Sequence, residues 1–567
     1  MAKKTKAARK QSAGVAKKKA KVAKAKSAVK KKRAVPAAGG SSSPSTPGPV
    51  GNAGSRTGVP ASAGGTVSIR MYRGLLGDFF FVKHSVGATA FKMLIDCGVL
   101  QCIGSKANKP VTSLGKQRII AGADDFMKAC GGELDLVVAT HEHYDHLSGF
   151  ILANDIFKPL KIAKVWMAWT EDRTDKVANG YRNKKGRALA ALSALARNSA
   201  LAADSDEMKT VTNLLQFYGG IDPVGSDGMA VARKKSNGDL SGNASCEAVL
   251  EWLRTKAGPN NVSFLKPGEV VRWGLRDAFR AYVLGPPRED AKKLRQLDPS
   301  KGTAREVYLA KGEDVETVIG LAALHGDGAG PPRPNDQPFV PLHWCPYGPN
   351  GERLKKNGAK QKLNAEVVAT YTKADAKYRR IDIDWLGSAE NLALKIDGDV
   401  NNTSLALGLE LADRRVLLFP GDAQVGNWLS WGDQTYPADD SKDGPKLKID
   451  EILARAVFYK VGHHASHNAT LRERGLELMT DPRLCAMIPV VEQTAHEQVT
   501  KSSPNGWSMP YGDLFKRLNE LTGGRILRGD GEANAEKSKF KASIFRLSYG
   551  ADFKAGDPLW VELALDL

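Results

Sequence analysis

The stretch VVATHEHYDHLSG, Val137–Gly149, decides how the chain can fold and what it can bind. An apolar strand is predicted over Leu134–Ala139, and it leads directly into three imidazoles and two carboxylates within His141–His146. Side chains two apart in an extended segment point the same way, so His141 and His143 can bind one ion. Asp145 and His146 follow at the turn and can face a second ion, and these ligand types suit zinc, manganese or iron. A polar loop at a helix N-terminus is the alternative, but such a cluster after a buried strand favours a metal site.

Three further segments follow the same plan, in which an apolar strand ends at a polar side chain able to bind or orient a ligand. They are LIDCG at Leu94–Gly98, VLLFPGDA at Val416–Ala423 and YKVGHHAS at Tyr459–Ser466. Together with the histidine stretch, and in this order, they resemble the motifs of the metallo-β-lactamase superfamily.

Two more segments narrow the resemblance to one branch, the hydrolase domain of ComEC-type DNA-uptake proteins. They are GDFFFV at Gly77–Val82 and NNTSLAL at Asn401–Leu407. The resemblance covers about residues 67–531 and lacks the membrane part of those proteins. It implies an α/β fold, the αββα sandwich of the superfamily, in one domain over 66–567. Helical and irregular insertions are expected at about 171–262 and 290–387, since 277 residues separate Asp145 from Asp422.

The resemblance also implies roles for individual residues around two divalent ions, zinc or manganese. His141 and His143 would hold one ion, Asp145 and His146 the other. Asp422 would bridge both ions, because a carboxylate has two oxygens. The remaining expected members are His463 as a further ligand of the second ion, Asp96 as an outer residue that orients a ligand, and His464 and Lys460, with Asp145, as catalytic residues at the scissile phosphate.

Two points of this assignment stay open in the sequence. Many superfamily members use one more histidine ligand, and His325 and His343 are the candidates, although neither lies in a matching motif. Met509 stands where the branch has a histidine, so it predicts either a divergent substrate pocket or a core residue.

Positive charge is concentrated at the start of the chain. The net charge is +21, and Met1–Arg33 contributes fifteen basic residues and no acidic one, which leaves +6 for the rest. A Lys/Ala-rich tail over 1–34 and a Pro/Gly/Ser linker to residue 65 are predicted to be disordered. Such a block of charge is typical of nucleic-acid backbone binding. The expected contacts are Lys17, Lys18, Lys19, Lys30, Lys31, Lys32 and Arg33.

Compartment and local structure can be predicted in outline. Six scattered cysteines without a Cys-x-x-Cys pair favour a reducing compartment. No apolar run long enough for a membrane span is present. With a tail that resembles histone-like bacterial proteins in composition, these features predict a bacterial cytoplasmic protein associated with the nucleoid. Ser245 is expected to cap a helix over Glu247–Lys256, Leu514–Leu521 to form a helix, and Phe126–Ala129 a short one.

The predicted function is a metal-dependent phosphodiesterase, most simply a nuclease acting on DNA or RNA. A hydrolase of a small substrate such as a cyclic nucleotide, lactone or thioester is the alternative, because one fold hosts many reactions. A non-catalytic nucleoid-binding protein is a third possibility. The sequence does not distinguish DNA from RNA, name the metal or give the oligomeric state.

Overall fold

Parallel strands that end at polar residues organise both large sheets of the protein. A computed structural model describes residues 65–100, 114–198, 244–288, 396–441, 444–498, 505–541 and 543–567. It also describes residues 211, 215, 217, 218 and 240 and the backbone of two short strands at 352–354 and 360–362. The basic tail, His325, His343 and most of the second predicted insertion lie outside these residues. All of the described residues belong to one unit, Pro60–Leu567.

The strands, in chain order, are β1 (Thr66–Tyr72), β2 (Phe79–Val86), β3 (Thr89–Cys97), β4 (Glu133–Leu134), β5 (Leu136–Ala139), β6 (Lys161–Ile162), β7 (Val165–Ala168), β8 (Val262–Leu265), β9 (Val270–Trp273), β10 (Phe279–Gly285), β11 (Glu352–Leu354), β12 (Lys360–Lys362), β13 (Ala406–Glu410), β14 (Val416–Phe419), β15 (Tyr436–Pro437), β16 (Lys446–Leu447), β17 (Ala456–Lys460), β18 (Cys485–Ile488), β19 (Ile526–Arg528), β20 (Arg546–Tyr549), β21 (Asp552–Lys554), β22 (Asp557–Pro558) and β23 (Trp560–Asp566).

The α-helices are α1 (Leu114–Cys130), α2 (Tyr144–Leu152), α3 (Asn154–Phe157), α4 (Lys176–Asn198), α5 (Cys246–Ala257), α6 (Val425–Trp431), α7 (Ile449–Leu453), α8 (Glu492–His496), α9 (Gly512–Thr522) and α10 (Ala533–Lys539). Residues 396–401 are also helical. Short 3₁₀ turns occupy Trp169–Glu171, Pro259–Asn261, Leu275–Asp277, Gly462–Ala465 and Leu476–Leu478.

These elements form a mixed α/β fold with two large sheets. The first sheet has the order β20-β23-β1-β2-β3-β5-β7-β8, and β3, β5, β7 and β8 run parallel. The second sheet has the order β19-β18-β17-β14-β13-β10-β9, and β14, β17, β18 and β19 run parallel. Parallel sheets gather ligands at the carboxyl ends of their strands.

Successive side chains along a strand point to opposite faces of the sheet, so each large sheet contributes to one hydrophobic core on each face. In β5, Val138 belongs to a core that it shares with Leu417 and Phe458 of the second sheet. Its neighbour Val137 points the other way, into a core with Phe150 of α2. All four residues of β5 are buried. Strands covered on both faces read as continuous apolar runs, which is why the sequence shows these strands without polar alternation.

Helices cover the other face of each large sheet. On the first sheet, the core with Val137 includes Phe126 of α1 and Leu253 of α5. On the second sheet, Tyr459 of β17 shares a core with Trp428 of α6 and Leu518 of α9. None of the described helices combines the length and apolar character needed to cross a bilayer.

The local predictions were confirmed for the Ser245 cap. They were wrong for the length of α1 and for the strand predicted over Leu134–Ala139, which is split into β4 and β5. The Ser245 hydroxyl accepts a hydrogen bond from the Ala248 amide, as expected for the cap of α5. The predicted helix at 514–521 lies within α9. The helix predicted for 126–129 is instead α1, with 17 residues, because its two glycines hid the apolar spacing. Gly122 is one of them, and a Cβ there would lie 3.1 Å from the Tyr72 ring.

Gly98 provides a test of how tightly the first two motifs are packed. A Cβ at Gly98 would lie 2.1 Å from the carbonyl carbon of Asp145 and 2.3 Å from the His146 amide nitrogen. Gly98→Ala should therefore displace the histidine loop, His141–His146, and lower the free energy of unfolding by about 1–3 kcal/mol or more. Denaturant titration measures the loss.

The matched control is Gly186→Ala within α4, where a Cβ would meet nothing within 4 Å. This change should leave the stability equal or raise it by up to ~1 kcal/mol, since alanine favours helix. Equal stability of the two variants would contradict the predicted backbone clash at Gly98.

Candidate metal centre

Four side chains from three motifs converge at the carboxyl ends of β5, β14 and β17. Ligand atoms of Asp145, His146, Asp422 and His464 all lie within 4.8 Å of one another, and all four residues are buried. Asp145 and His146 open helix α2 directly after the His141–His143 segment. Asp422 follows β14, and His464 follows β17. The sequence predicted three of these four as metal ligands and placed His464 at the substrate.

His146 lies between two carboxyl groups, one at each ring nitrogen. Its Nδ1 lies 2.7 Å from Asp96 Oδ2, and its Nε2 lies 3.0 Å from Asp422 Oδ2. Both facing atoms, His146 Nε2 and Asp422 Oδ2, are buried without a hydrogen-bond partner. A neutral ring that donates from Nδ1 turns the Nε2 lone pair towards a carboxylate oxygen. Two such acceptors facing each other need a cation or a proton between them.

The electrostatics of His146 agree with this geometry. Burial opposes protonation of the ring, but the carboxylates of Asp422, Asp78 and Asp96 outweigh it and raise its pKa well above the ordinary value. The surrounding carboxylates thus stabilise positive charge at His146, either as a proton on the ring or as a metal ion beside it. The buried, unpartnered atoms fit a metal ion and give this cluster the character of a cation site.

His464 has the orientation of a metal ligand. Its Nδ1 lies 2.8 Å from the Pro489 carbonyl oxygen, to which a ring N–H can donate. Its Nε2 then points into the cluster, 3.0 Å from Asp145 Oδ2. Ligand histidines are commonly fixed in this way by an acceptor behind the other ring nitrogen.

His463 lies beside the cluster rather than in it. Its Nδ1 lies 2.7 Å from Ser466 Oγ and 3.3 Å from Asn468 Oδ1. Its backbone amide donates to Asp422 Oδ1 at 2.8 Å. Burial lowers the pKa of His463 to about 4. Residues 463–465 all have positive φ, between 45° and 62°, and this left-handed turn places the adjacent histidines against different partners.

Asp96 orients two of the histidine loop's residues from the end of β3. Its Oδ1 accepts a hydrogen bond from the Thr140 amide at 2.9 Å. Its Oδ2 accepts from the Thr140 hydroxyl at 2.6 Å and lies 2.7 Å from His146 Nδ1. Asp96 therefore lies behind His146, where a residue with the orienting role implied by the resemblance would be expected.

His141 and His143 form a second half of the site. His141 Nε2 lies 3.1 Å from His143 Nδ1, and the ring centroids of His141 and His146 are 4.2 Å apart. Burial holds the pKa of His141 well below its usual range and lowers that of His143 to about 3. Both rings are thus neutral at physiological pH and present lone pairs for a cation.

Lys460 is buried and fully engaged. Its ammonium lies 3.0 Å from the Gly421 carbonyl oxygen, 3.1 Å from Asp422 Oδ1, and in contact with Asp78 Oδ2. Burial acts against its charge, but Asp78 and Asp422 outweigh it and raise the pKa of Lys460. Three acceptors use the three ammonium donors. Asp422 is left with Oδ2 as its open oxygen, which limits how it can bind ions.

Three residues near the site carried no predicted role. Thr140 lies in the stretch Val137–Gly149, and Asp78 lies in the Gly77–Val82 motif. Their positions within these motifs could have indicated that both lie near the site. Asp397 had no local signal, and its Oδ1 lies 3.5 Å from His143 Nε2. Burial, with the charges of Asp145 and Asp422, raises the pKa of Asp397 to about 8.

Met509 packs on the helix-covered face of the second sheet. Its side chain is 9% exposed and belongs to the core that contains Trp428 and Leu518. This placement favours the second of its two predicted roles, that of a core residue.

The chain matches no model of a known protein family, and a search of curated proteins found no significant match.

Alanine substitution of the two adjacent histidines separates their roles. His464→Ala removes a side chain whose Nε2 points into the cluster. Loss of a residue that only hydrogen-bonds to a metal ligand typically weakens metal binding ~10–100-fold. Loss of His464 itself should weaken zinc binding at least as much. Isothermal titration or competition with a chromophoric chelator measures the affinity.

His463→Ala is the matched control, because it keeps the backbone amide that donates to Asp422 Oδ1. It should bind zinc with an affinity close to that of the unchanged protein. If His463→Ala loses the metal and His464→Ala retains it, the ligand assignment drawn from this geometry is wrong.

Proposed function

We propose that this protein is a metal-dependent hydrolase of phosphodiester bonds that acts on DNA or RNA. The observation that carries the proposal is the buried set of converging ligand atoms in Asp145, His146, Asp422 and His464, next to the His141–His143 pair. Several of these atoms are buried without a hydrogen-bond partner. Such groups carry a large desolvation cost unless an ion satisfies them, so a structural role alone is a poor explanation.

We also propose that the fold is the αββα sandwich of the metallo-β-lactamase superfamily, in its ComEC-like branch. In support, the two sheets share one core and each has a second core with helices. The four motifs occur in the order expected from the resemblance. The ligand residues follow parallel strands of both sheets, at the edge where such folds place their sites.

The proposed cofactors are two divalent ions, zinc or manganese. Asp145, His146, Asp422 and His464 would hold one ion, since their ligand atoms form a group of four. His141 and His143 would hold the other, with the open Oδ2 of Asp422 as the atom available to both. Bound divalent ions lower the pKa of a coordinated water and stabilise charge on phosphate oxygens.

The protein's own residues prepare this site by fixing orientation and charge. Lys460 and the His463 amide hold Asp422 Oδ1, so that Oδ2 faces the cluster. Asp145 Oδ2 is held by His464, and its Oδ1 is buried without a hydrogen-bond partner. Asp145 Oδ1 is thus the oxygen available to accept a proton or orient a water. We assign Lys460 to holding Asp422 and not to proton transfer, because its three donors are engaged.

The choice of a nucleic acid as substrate is supported by the basic tail and the ComEC-like motifs. The tail residues Lys17–Lys19 and Lys30–Arg33 would bind the phosphate backbone, and the folded domain would supply the hydrolysis. The bacterial cytoplasm, in contact with the nucleoid, is the compartment in which such a substrate would be met.

Cleavage assays on plasmid, single-stranded DNA and RNA test the proposed activity. The unchanged protein should cleave at least one of them, lose activity with a chelator and recover with manganese or zinc. Asp422→Asn removes charge beside the cation site and should abolish most turnover while the fold remains, as circular dichroism would show. His143→Ala should act similarly through the other half of the site.

The control for these variants is Asp513→Asn in the first turn of α9, which removes one carboxylate on a surface helix. It should retain turnover. Protein that binds no divalent metal, or cleavage that continues unaltered in both site variants, would show that this cluster is not the active site.

Removal of residues 1–65 tests the proposed tail. Each phosphate contact contributes a slope of about −0.9 to the dependence of duplex affinity on salt, so the truncated protein should bind more weakly and show a flatter dependence. Turnover of a short substrate should persist. Filter binding over a salt series measures both slopes, and equal slopes would exclude this role.

A further inference from the structure

His143 is unusual among the site's histidines because neither ring nitrogen has a settled donor or acceptor role. Nδ1 lies 3.1 Å from His141 Nε2, and Nε2 lies 3.5 Å from Asp397 Oδ1. A neutral imidazole offers a lone pair at one nitrogen and a proton at the other. The neighbours of each nitrogen therefore decide which of them can bind a cation.

The tautomer of His141 fixes that of His143. His141 Nδ1 lies 3.1 Å from Thr140 Oγ1, whose own hydroxyl donates to Asp96 Oδ2 at 2.6 Å. Because the Thr140 proton is committed to Asp96, Thr140 Oγ1 accepts from His141 Nδ1. His141 Nε2 is then a lone pair directed at His143 Nδ1. A cation that joins the two nitrogens needs His143 Nδ1 unprotonated, which places the His143 proton on Nε2.

Among the described residues, Asp397 is placed to accept a hydrogen bond from this Nε2–H. His143 Nε2 and Asp397 Oδ1 are both buried and have no hydrogen-bond partner. Their separation of 3.5 Å is a few tenths of an ångström longer than a good N–H···O bond. A small ring movement on binding a cation would close it. The Asp397 side chain is 19% exposed, so its surroundings are only partly hydrated.

We propose that Asp397 is a positioning residue whose carboxyl oxygen Oδ1 accepts a hydrogen bond from the Nε2–H of His143 and so directs His143 Nδ1 towards the ion shared with His141. The inference rests on the metal centre proposed above. With Asp397 in this role, His143 has a hydrogen-bond acceptor behind its second ring nitrogen, as the other proposed ligand histidines do. Asp96 stands behind His146, the Pro489 carbonyl behind His464 and Thr140 behind His141.

The position of Asp397 is fixed by a well-anchored segment. Residues 396–401 are helical and lead into Asn402, which is buried. The backbone N–H of Asn427 donates to Asn402 Oδ1 at 3.0 Å, and the Asn427 side-chain Nδ2 donates to the Asn402 backbone carbonyl at 3.0 Å. These bonds tie the segment to α6, so Asp397 is held near His143 by the second sheet's helix layer.

Metal affinity, measured apart from activity, tests the inference. Zinc titration against a chromophoric chelator gives both dissociation constants, and cobalt substitution reports the ligand geometry through its visible absorption. Asp397→Leu keeps the bulk and removes the acceptor, so it should weaken one metal equivalent by roughly 10–100-fold and spare the other. Asp397→Asn retains an oxygen that can accept, so it should lose less and keep the cobalt spectrum of the unchanged protein.

Asp399→Asn is the matched control for charge, since it removes a second carboxyl group of the same helix that, like Asp397, raises the pKa of Tyr218. The Asp399→Asn variant should bind both zinc ions with the affinity of the unchanged protein. An equal loss of affinity in this variant would show that the effect comes from the removal of charge alone, and it would overturn the proposal. If Asp397→Leu lowers the melting temperature of the metal-free protein, Asp397→Ala replaces it.

Three outcomes separate this inference from the proposed function. Unchanged affinity for both equivalents in the Leu or Ala variant would overturn the role of Asp397 alone. An Asn variant as weak as the Leu variant, with an altered cobalt spectrum, would show a direct ligand and overturn positioning. Absence of metal binding by the unchanged protein would overturn the proposed centre and this inference with it.

Discussion

The burial of several carboxylates in one small volume is the constraint on which the site depends. Asp78, Asp96, Asp145 and Asp422 are all buried around His146, and like charges at such distances repel strongly. Lys460 offsets part of this charge by contacting Asp78 and Asp422. A buried lysine without these partners would be costly, and so would the carboxylates without the lysine. The remaining negative charge favours the presence of a cation in the cluster.

The two sheets contribute different parts of this arrangement. The first sheet supplies the histidine loop and Asp96, and the second supplies Asp422, Lys460 and His464. The first insertion adds a contact of its own, because Lys185 of α4 forms a buried ion pair with Glu142, between His141 and His143. Helix α4 is therefore tied to the segment His141–His146, so changes in α4 can displace His141 and His143.

Features that depend on the local order of residues could be predicted from the sequence, whereas features that depend on contacts between distant segments could not. The strand-and-ligand motifs were visible because buried parallel strands are continuous apolar runs that end in polar residues. The different orientations of His463 and His464 were not, since they depend on a left-handed turn and on the Pro489 carbonyl. Asp397 was invisible because only folding brings it to His143. The length of α1 was missed because packing against Tyr72, rather than helix propensity, explains the glycine at 122.

The first strand of the domain pairs with its last. Thr66 of β1 lies opposite Asp566 of β23, 500 residues later, and β1 has β2 as its other neighbour. During synthesis, one edge of β1 must stay open until β23 has been made, although β2, β3 and β5 are complete long before. An open edge of this kind can pair with other chains. A chain released before β23 has been made would therefore carry this open edge.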